Sequence, residues 1–382
     1  MKRVWHAIAE FWRTTDRWLL LFWLFASGIS MVFLMGIHHS GLMTSSKLVS
    51  QAGAIVLGLL AALILANIDY NTLLRLWKLY VPLCLLLVLL TFTSLGVEEG
   101  GNRAWLAIRL AGRTLSIQPS EFLKISFITT FALHLSKVAE HLNEPLHVLL
   151  LCLHGGIHVL LIQLQDSGTA VIFFIMFLAM IFCAGLAWKY ITAAAAAMMA
   201  GLPILWFFVM TDVQKMRILV LFNPELDPDT IFQQVRSAAA LSTGGMQGTG
   251  IFSGSHVPVP KAYNDFIFSF IGESGGFMAC IGIIALLMAI SFKILHNSGS
   301  AKDSAGRLIC VGVFAMLIGQ TFINLGMCIG LLPVIGVTLP LFSAGGSSVL
   351  SLYCGLGLVL SVYKHSHTGL FSKGEEGSRH II

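Results

Sequence analysis

The chain has 382 residues, of which 57% are hydrophobic and only 11% charged, with a formal net charge of +5 and a mean hydropathy of +0.85. An ordinary soluble domain carries roughly 25% charged residues, so this balance excludes a water-soluble fold. The positive charge is spread over short segments without a basic-aromatic motif, which sets nucleic acid aside and suits anionic lipid.

An uncharged apolar window of about 18 or more residues can cross roughly 30 Å of hydrocarbon as a helix whose backbone groups bond internally. Ten such windows follow in chain order, at 18–37, 48–68, 79–97, 117–136, 145–164, 168–188, 190–210, 266–292, 308–333 and 346–363. The expected fold is all-α: one polytopic membrane domain over residues 1–382, with about ten transmembrane helices and two long outer segments. The first window begins after Arg17 at full length and shows no small-residue cleavage site, so it reads as an uncleaved span. Short cytoplasmic loops hold the excess of Lys and Arg. With the N-terminus inside, 14 of the 23 basic residues fall there, from Lys2 and Arg3 to Lys373 and Arg379. Both termini are therefore expected in the cytoplasm.

The seven cysteines, at 84, 152, 183, 280, 310, 328 and 354, all fall inside windows with no close pair, and read as small packing residues. His154 and His158 stand four apart and share a helix face, as metal ligands do. The Glu of the metalloprotease motif is missing between them, which favours interhelical hydrogen bonding.

The first outer segment spans about 97–120. Glycines at 100, 101 and 112 punctuate it, and Arg103, Arg109 and Arg113 either bind lipid phosphates or solvate a surface helix. It ends at Gln118-Pro119-Ser120-Glu121, which has the form of a helix start. Glu121 and Lys124 are three apart on one face of that helix. Charges within a span are costly unless paired or facing water, so an internal Glu121–Lys124 pair is expected, with structural pairing and a substrate-cavity role both open.

The second outer segment spans about 211–265 and carries three signals. Asn223 to Asp229 reads NPELDPD, a turn-rich acidic stretch that suits a solvated loop and, more sharply, a metal. Ser242 to Gly250 reads STGGMQGTG, glycine-rich enough for backbone amides to approach a phosphate, yet it matches neither the P-loop nor the dinucleotide fingerprint. Asp265 stands at the start of an apolar helix, with Glu273 about two turns deeper. Local context alone explains Asp265 as a cap.

These strings, with a third near the C-terminus, resemble the signature of the shape, elongation, division and sporulation family, the RodA/FtsW/SpoVE group, over nearly the whole chain. Gly101, Arg103 and Trp105 match its Gly-x-Arg-x-Trp loop, and Gln118, Pro119, Ser120, Glu121, Phe122 and Lys124 its Gln-Pro-Ser-Glu-Phe-x-Lys. Asp166, Gly168 and Thr169 match the Asp-Leu-Gly-Thr turn, and Asn223, Pro224, Asp227 and Pro228 the Asn-Pro-x-x-Asp-Pro loop. Tyr263 to Phe268 with Gly272-Glu273 is similar to His-Thr-Asp-Phe-Ile-Phe and Gly-Glu. The last signature is matched by Gly330 to Val334, Leu339-Pro340 and Ser343 to Ser348. The sequence departs from the family at Lys261 for Glu, Tyr263 for His, Ala344 for the aromatic and Gln165 for Pro. Lys261 stands four residues from Asp265, where a cation favours the ionised carboxylate and weakens it as a base.

The resemblance implies peptidoglycan glycosyltransfer: lipid II polymerised at the outer face of the cytoplasmic membrane, in division, elongation or sporulation. An α-linked donor and a β-linked glycan imply inversion in a single displacement, with no covalent intermediate. It assigns Asp265 as the base for the acceptor hydroxyl. Arg103, Lys124 and Arg217 are candidates for the pyrophosphate, Glu121 would orient Lys124, and Ser347 and Ser348 join the substrate-binding set. A divalent cation, Mg²⁺ or Mn²⁺, could share the phosphate work through ligands the sequence does not name. A class B penicillin-binding protein, the transpeptidase, is the implied partner. A lipid II flippase and a non-catalytic scaffold for that transpeptidase are the rival functions.

Overall fold

The structure, a computed structural model, describes residues 12–99, 102–110 and 113–377. Gly100, Gly101 and Gly112, with Lys2, Arg3 and Arg379 of the orientation argument, lie outside the described residues. Each of the ten windows contains a helix: α1 (Arg17–His39), α2 (Ser45–Asn67), α4 (Trp77–Leu90), α5 (Pro119–Lys137), α6 (Pro145–Gln163), α7 (Ser167–Cys183), α8 (Trp188–Ile204), α11 (Ile267–Gly299), α12 (Ser304–Cys328) and α13 (Gly346–Gly377). The short α3 (Tyr70–Arg75) leads into α4, and α9 (Asp212–Phe222) and α10 (Pro228–Gly244) lie in the second outer segment.

Among the described residues, seven helices are long and apolar enough to cross a bilayer by length and composition. The other three fall short for physical reasons. Helices α4 and α7 have 14 and 17 residues, and α5 buries Glu121 and Lys124 in its first turns. Helix α12 is the centre of the bundle and packs against α5, α7, α11 and α13, while α2 lies along α13. By contrast α8, prolonged by a π turn over Leu205–Val209, has no buried residue. A largely apolar helix held only at its first turn, by Trp188 against Phe182 and Tyr190 on the Asn143 carbonyl, is what lipid accepts.

The first outer segment is not a surface helix. It forms an antiparallel sheet β1 (Gly96–Glu99), β2 (Asn102–Leu110) and β3 (Arg113–Ile117) in that order, with Val97 opposite Trp105 and Leu106 opposite Ile117. Val, Trp, Ile and Thr at these positions fit a pleated surface better than a helix.

The second outer segment uses its motifs as structure. Thr211 and Gln214 form a capping box on α9. Asp227 caps α10, accepting from the Asp229 and Thr230 amides at 3.1 and 3.2 Å and from the Thr230 hydroxyl at 2.8 Å. The Thr230 hydroxyl, with these amides, holds the exposed Asp227 carboxyl below its usual range.

The glycine-rich loop spends its amides on a broken helix. Gly276, with φ 71° and ψ −174°, interrupts α11, so the carbonyls of Glu273 and Ser274 lose their helical partners, the amides of Phe277 and Met278. Thr249 and Gly250 donate to those carbonyls, both at 2.9 Å, while Phe277 and Met278 donate to Gly245 and Met246 at 2.9 and 3.4 Å. Two helical bonds are thus exchanged for four bonds to the loop. Such backbone contact needs glycine: a Cβ on Gly248 would meet the Ser274 carbonyl at 2.3 Å, and one on Gly276 the Gly248 amide at 2.4 Å.

Candidate active site

The ends of α2, α5 and α7, the sheet, α9 and the turns before α11 and α13 enclose a cavity of about 720 Å³. Pro119 occupies the first turn of α5, where its fixed φ suits a helix start. That start presents Glu121 to the cavity. Behind it Lys124, 1% exposed, donates to Glu121 Oε1 at 3.0 Å and lies 2.9 Å from Oε2. The Ser351 hydroxyl donates to Oε2 at 2.7 Å. The expected pair is formed, with Glu121 facing inward and Lys124 supporting it from the bundle.

Asp166 caps α7 through the Gly168 and Thr169 amides and the Thr169 hydroxyl, and its second oxygen accepts from Gln118 Nε2 at 3.0 Å. The Gln118 amide donates to Ser347 Oγ at 3.1 Å. Ser347 therefore holds the start of α5, while Ser348 lines the cavity beside Thr338, 3.2 Å from its hydroxyl.

Asp265 is 5% exposed and borders the cavity. The N-cap of α11 is Phe266, one residue beyond Asp265. Its backbone carbonyl accepts from Asn324 Nδ2 at 2.7 Å, and the same amide donates to Val337 at 2.7 Å. Asn324 thus ties the Asp265 turn to Gly336–Thr338. Lys261 Nζ stands 3.8 Å from Asp265 Oδ2, on a residue with left-handed φ of 56°, a strained conformation for a side chain of this size. A second tie joins the signature turn before α13 to the same place: Ser343 Oγ donates to the Asn264 carbonyl at 2.6 Å and the Ala344 amide to Tyr263 at 2.7 Å.

Two more cations reach the cavity. Arg217, on α9, donates from Nη1 to the Val334 carbonyl at 3.1 Å. Lys47 donates to the Tyr263 hydroxyl, with Nζ 4.0 Å from the ring centroid. Arg103 does not join them. It is exposed, donates to Gly96 and Thr93 carbonyls at 3.3 and 2.9 Å, and so braces the sheet, whereas its neighbour Trp105 lines the cavity. Sequence reasoning missed Lys47, Gln51, Asn324 and Gln320. For Asn324 and Gln320 the available signal was a buried amide inside an apolar window.

The residues present do not fit a protein-held divalent cation. Among the described residues no group of three or more His, Cys, Asp or Glu could hold one. The cavity's carboxylates are engaged by Lys124, by the α7 amides and by Lys261, so no step is assigned to a metal. His154 serves as expected, with Nδ1 3.1 Å from Nδ1 of His134 across α5 and α6, and the seven cysteines are free thiols.

A family model, that of the FtsW/RodA/SpoVE cell cycle proteins, matches residues 14–368. The chain belongs to this family. It is 30% identical over 331 residues to the peptidoglycan glycosyltransferase MrdB of Escherichia coli K12, covering 85% of this chain and 86% of that one. It is 34% identical over 322 residues to a probable peptidoglycan glycosyltransferase FtsW of Geobacter metallireducens, covering 80% and 82%. Among solved structures, a chain of a peptidoglycan synthase complex that coordinates polymerization and crosslinking superposes with a TM-score of 0.78 at 28% identity, over 92% of this chain and 98% of that one. The rod shape determining protein RodA of Thermus thermophilus gives 0.68 at 26% identity with the same coverage. In this FtsW/RodA/SpoVE chain the departures from the family strings have visible consequences. Tyr263 receives Lys47, Lys261 faces Asp265, and buried Gln165 donates to the Val88 carbonyl at 3.0 Å, at the end of α4.

Proposed function

We propose that this chain is a peptidoglycan glycosyltransferase that polymerises lipid II into glycan at the outer face of the cytoplasmic membrane. The observation that carries the reading is Asp265 bordering a cavity that three cations, Lys47, Arg217 and Lys261, also line. The acceptor sugar's 4-hydroxyl loses its proton to Asp265 as its oxygen attacks the donor's anomeric carbon. The bond from that carbon to the diphosphate oxygen breaks on the opposite face, and the undecaprenyl diphosphate leaves with the bonding pair. Inversion follows from the single displacement. Lys47, Arg217 and Lys261 stabilise the charge that develops on the leaving diphosphate, and Glu121, Ser348 and Trp105 bound the sugar-binding space.

The polyprenyl tail stays in lipid while its head group enters the cavity, which demands a site at the membrane surface. Both termini lie in the cytoplasm on the charge rule. The partner is a class B penicillin-binding protein docking through its own span, a reading supported by the resemblance to a chain of a peptidoglycan synthase complex. The test is Asp265→Asn in purified protein supplied with lipid II. A positioned base contributes about 10²–10⁴-fold, so polymer should fall by that factor while the variant stays folded and still co-purifies with its partner. Near-normal polymer from Asp265→Asn would refute the assignment.

A further inference from the structure

Glu273 lies outside the cavity, and the reaction above gives it no task. Its residue is 2% exposed and sits just before the break in α11. Oε1 accepts the Val257 amide at 2.6 Å, and Oε2 lies 3.6 Å from His256 Nδ1. The imidazole is fully buried, packed on Phe270 with ring centroids 4.6 Å apart, and its Nε2 is 3.2 Å from Ser253 Oγ. Oε2 and Nδ1 are both buried without a hydrogen-bond partner, so each is the other's nearest remedy. From α10, Arg236 Nε donates to the Pro258 carbonyl at 3.2 Å. The Glu273 carbonyl, meanwhile, holds Thr249 by amide and hydroxyl.

Three successive residues, His256, Val257 and Pro258, are therefore held by charged side chains anchored in α10 and α11. They lead directly into the turn where Lys261 is strained and from which Asp265 borders the cavity. A buried polar atom calls for a partner, and Glu273 Oε2 has the His256 ring nitrogen 3.6 Å away. We propose that Glu273 is a positioning residue for Asp265: its carboxyl group, holding the Val257 amide and facing the His256 imidazole, fixes the 256–258 stretch and thereby the turn that aims Asp265 into the cavity. The proposal rests on the reading of Asp265 as the base.

The experiment compares Glu273→Gln, His256→Gln and the double variant in the purified full chain. Gln preserves the shape of Glu273 and an acceptor for the Val257 amide, and removes only the charge. A small displacement of a catalytic group costs up to about 100-fold, so Glu273→Gln should lower kcat by about 10–100-fold with KM for lipid II unchanged. Hydrogen exchange should quicken across residues 253–266 and stay unchanged in α12. The double variant should be no slower than Glu273→Gln, because both substitutions remove one interaction. Unchanged kcat in Glu273→Gln, fully additive losses in the double variant, or lost protection throughout the bundle would each overturn the proposal. Asp265→Asn in the same assay separates the two readings: if that variant polymerises normally the base assignment fails, whereas an inactive Asp265→Asn beside a normal Glu273→Gln sinks the positioning role alone.

Discussion

Lys124→Met tests how far the Glu121–Lys124 pair serves stability and how far it serves the reaction. The Glu121 residue is 4% exposed, and its oxygens receive Lys124 at 2.9–3.0 Å and the Ser351 hydroxyl at 2.7 Å. Removing the ammonium leaves a buried carboxylate with one neutral donor, a change that costs about 3–5 kcal/mol. Glu121→Gln strands Lys124 in the same way. The double variant Glu121→Gln/Lys124→Met removes both charges and should recover most of the loss, since a buried pair exchanged for neutral groups is often close to neutral. Thermal unfolding of the four proteins in one detergent measures the cycle, and lipid II polymerisation measures catalysis beside it. Because Glu121 borders the cavity and Lys124 does not, the double variant should regain stability without regaining polymer. Equal stability of all four proteins, or a double variant as unstable as the two losses summed, would refute the reasoning.

Asn324→Leu leaves the Asp265 and Val337 carbonyls without their shared amide. About 1–3 kcal/mol of stability per carbonyl should go, read by thermal unfolding, and kcat should fall more than KM rises. Gly248→Ala puts a methyl 2.3 Å from the Ser274 carbonyl at a φ of 79°. It should destabilise the outer loop by about 1 kcal/mol or more and open residues 245–250 to proteolysis. In a cysteine-free background, a cysteine at Ser255 should react with a membrane-impermeant maleimide in intact cells, and one at Ser300 only after permeabilisation. The opposite pattern reverses the orientation.

The spans were legible because lipid selects on composition, and composition survives without knowledge of any contact. Length was not as simple: α4 and α7 run only 14 and 17 residues, and α4 is lengthened only by the short α3 that leads into it. The sheet escaped notice because Arg103, Arg109 and Arg113 suggest a charged surface helix, and pairing of β2 with β1 and β3 is a choice between strands that no single stretch announces. Within the site, Glu121 with Lys124 could be read from helical spacing, and Asp265 from its motif. Lys47 could not, because nothing near it in sequence marks it. It reaches the cavity through Tyr263, more than 200 positions away. Arg103 shows the opposite error: it stands two residues from a cavity-lining Trp105 in a strand, yet the carbonyls of Gly96 and Thr93 claim its guanidinium.

Helix α8 leaves its mark on how this sequence can drift. With no buried residue along Trp188–Ile204, and with Trp188 against Phe182 and Tyr190 on the Asn143 carbonyl both at its first turn, the rest of the helix answers mainly to length and total oiliness. The run Ala193 to Ala197 followed by two methionines is the kind of text such freedom permits. Exchanges among Ala, Leu, Val and Met should accumulate there almost without consequence, while the same exchanges in α12, enclosed on several sides, would each have to be answered by a neighbour. Two helices of similar hydropathy in one chain are thus written under different grammars, one by the solvent and one by the fold.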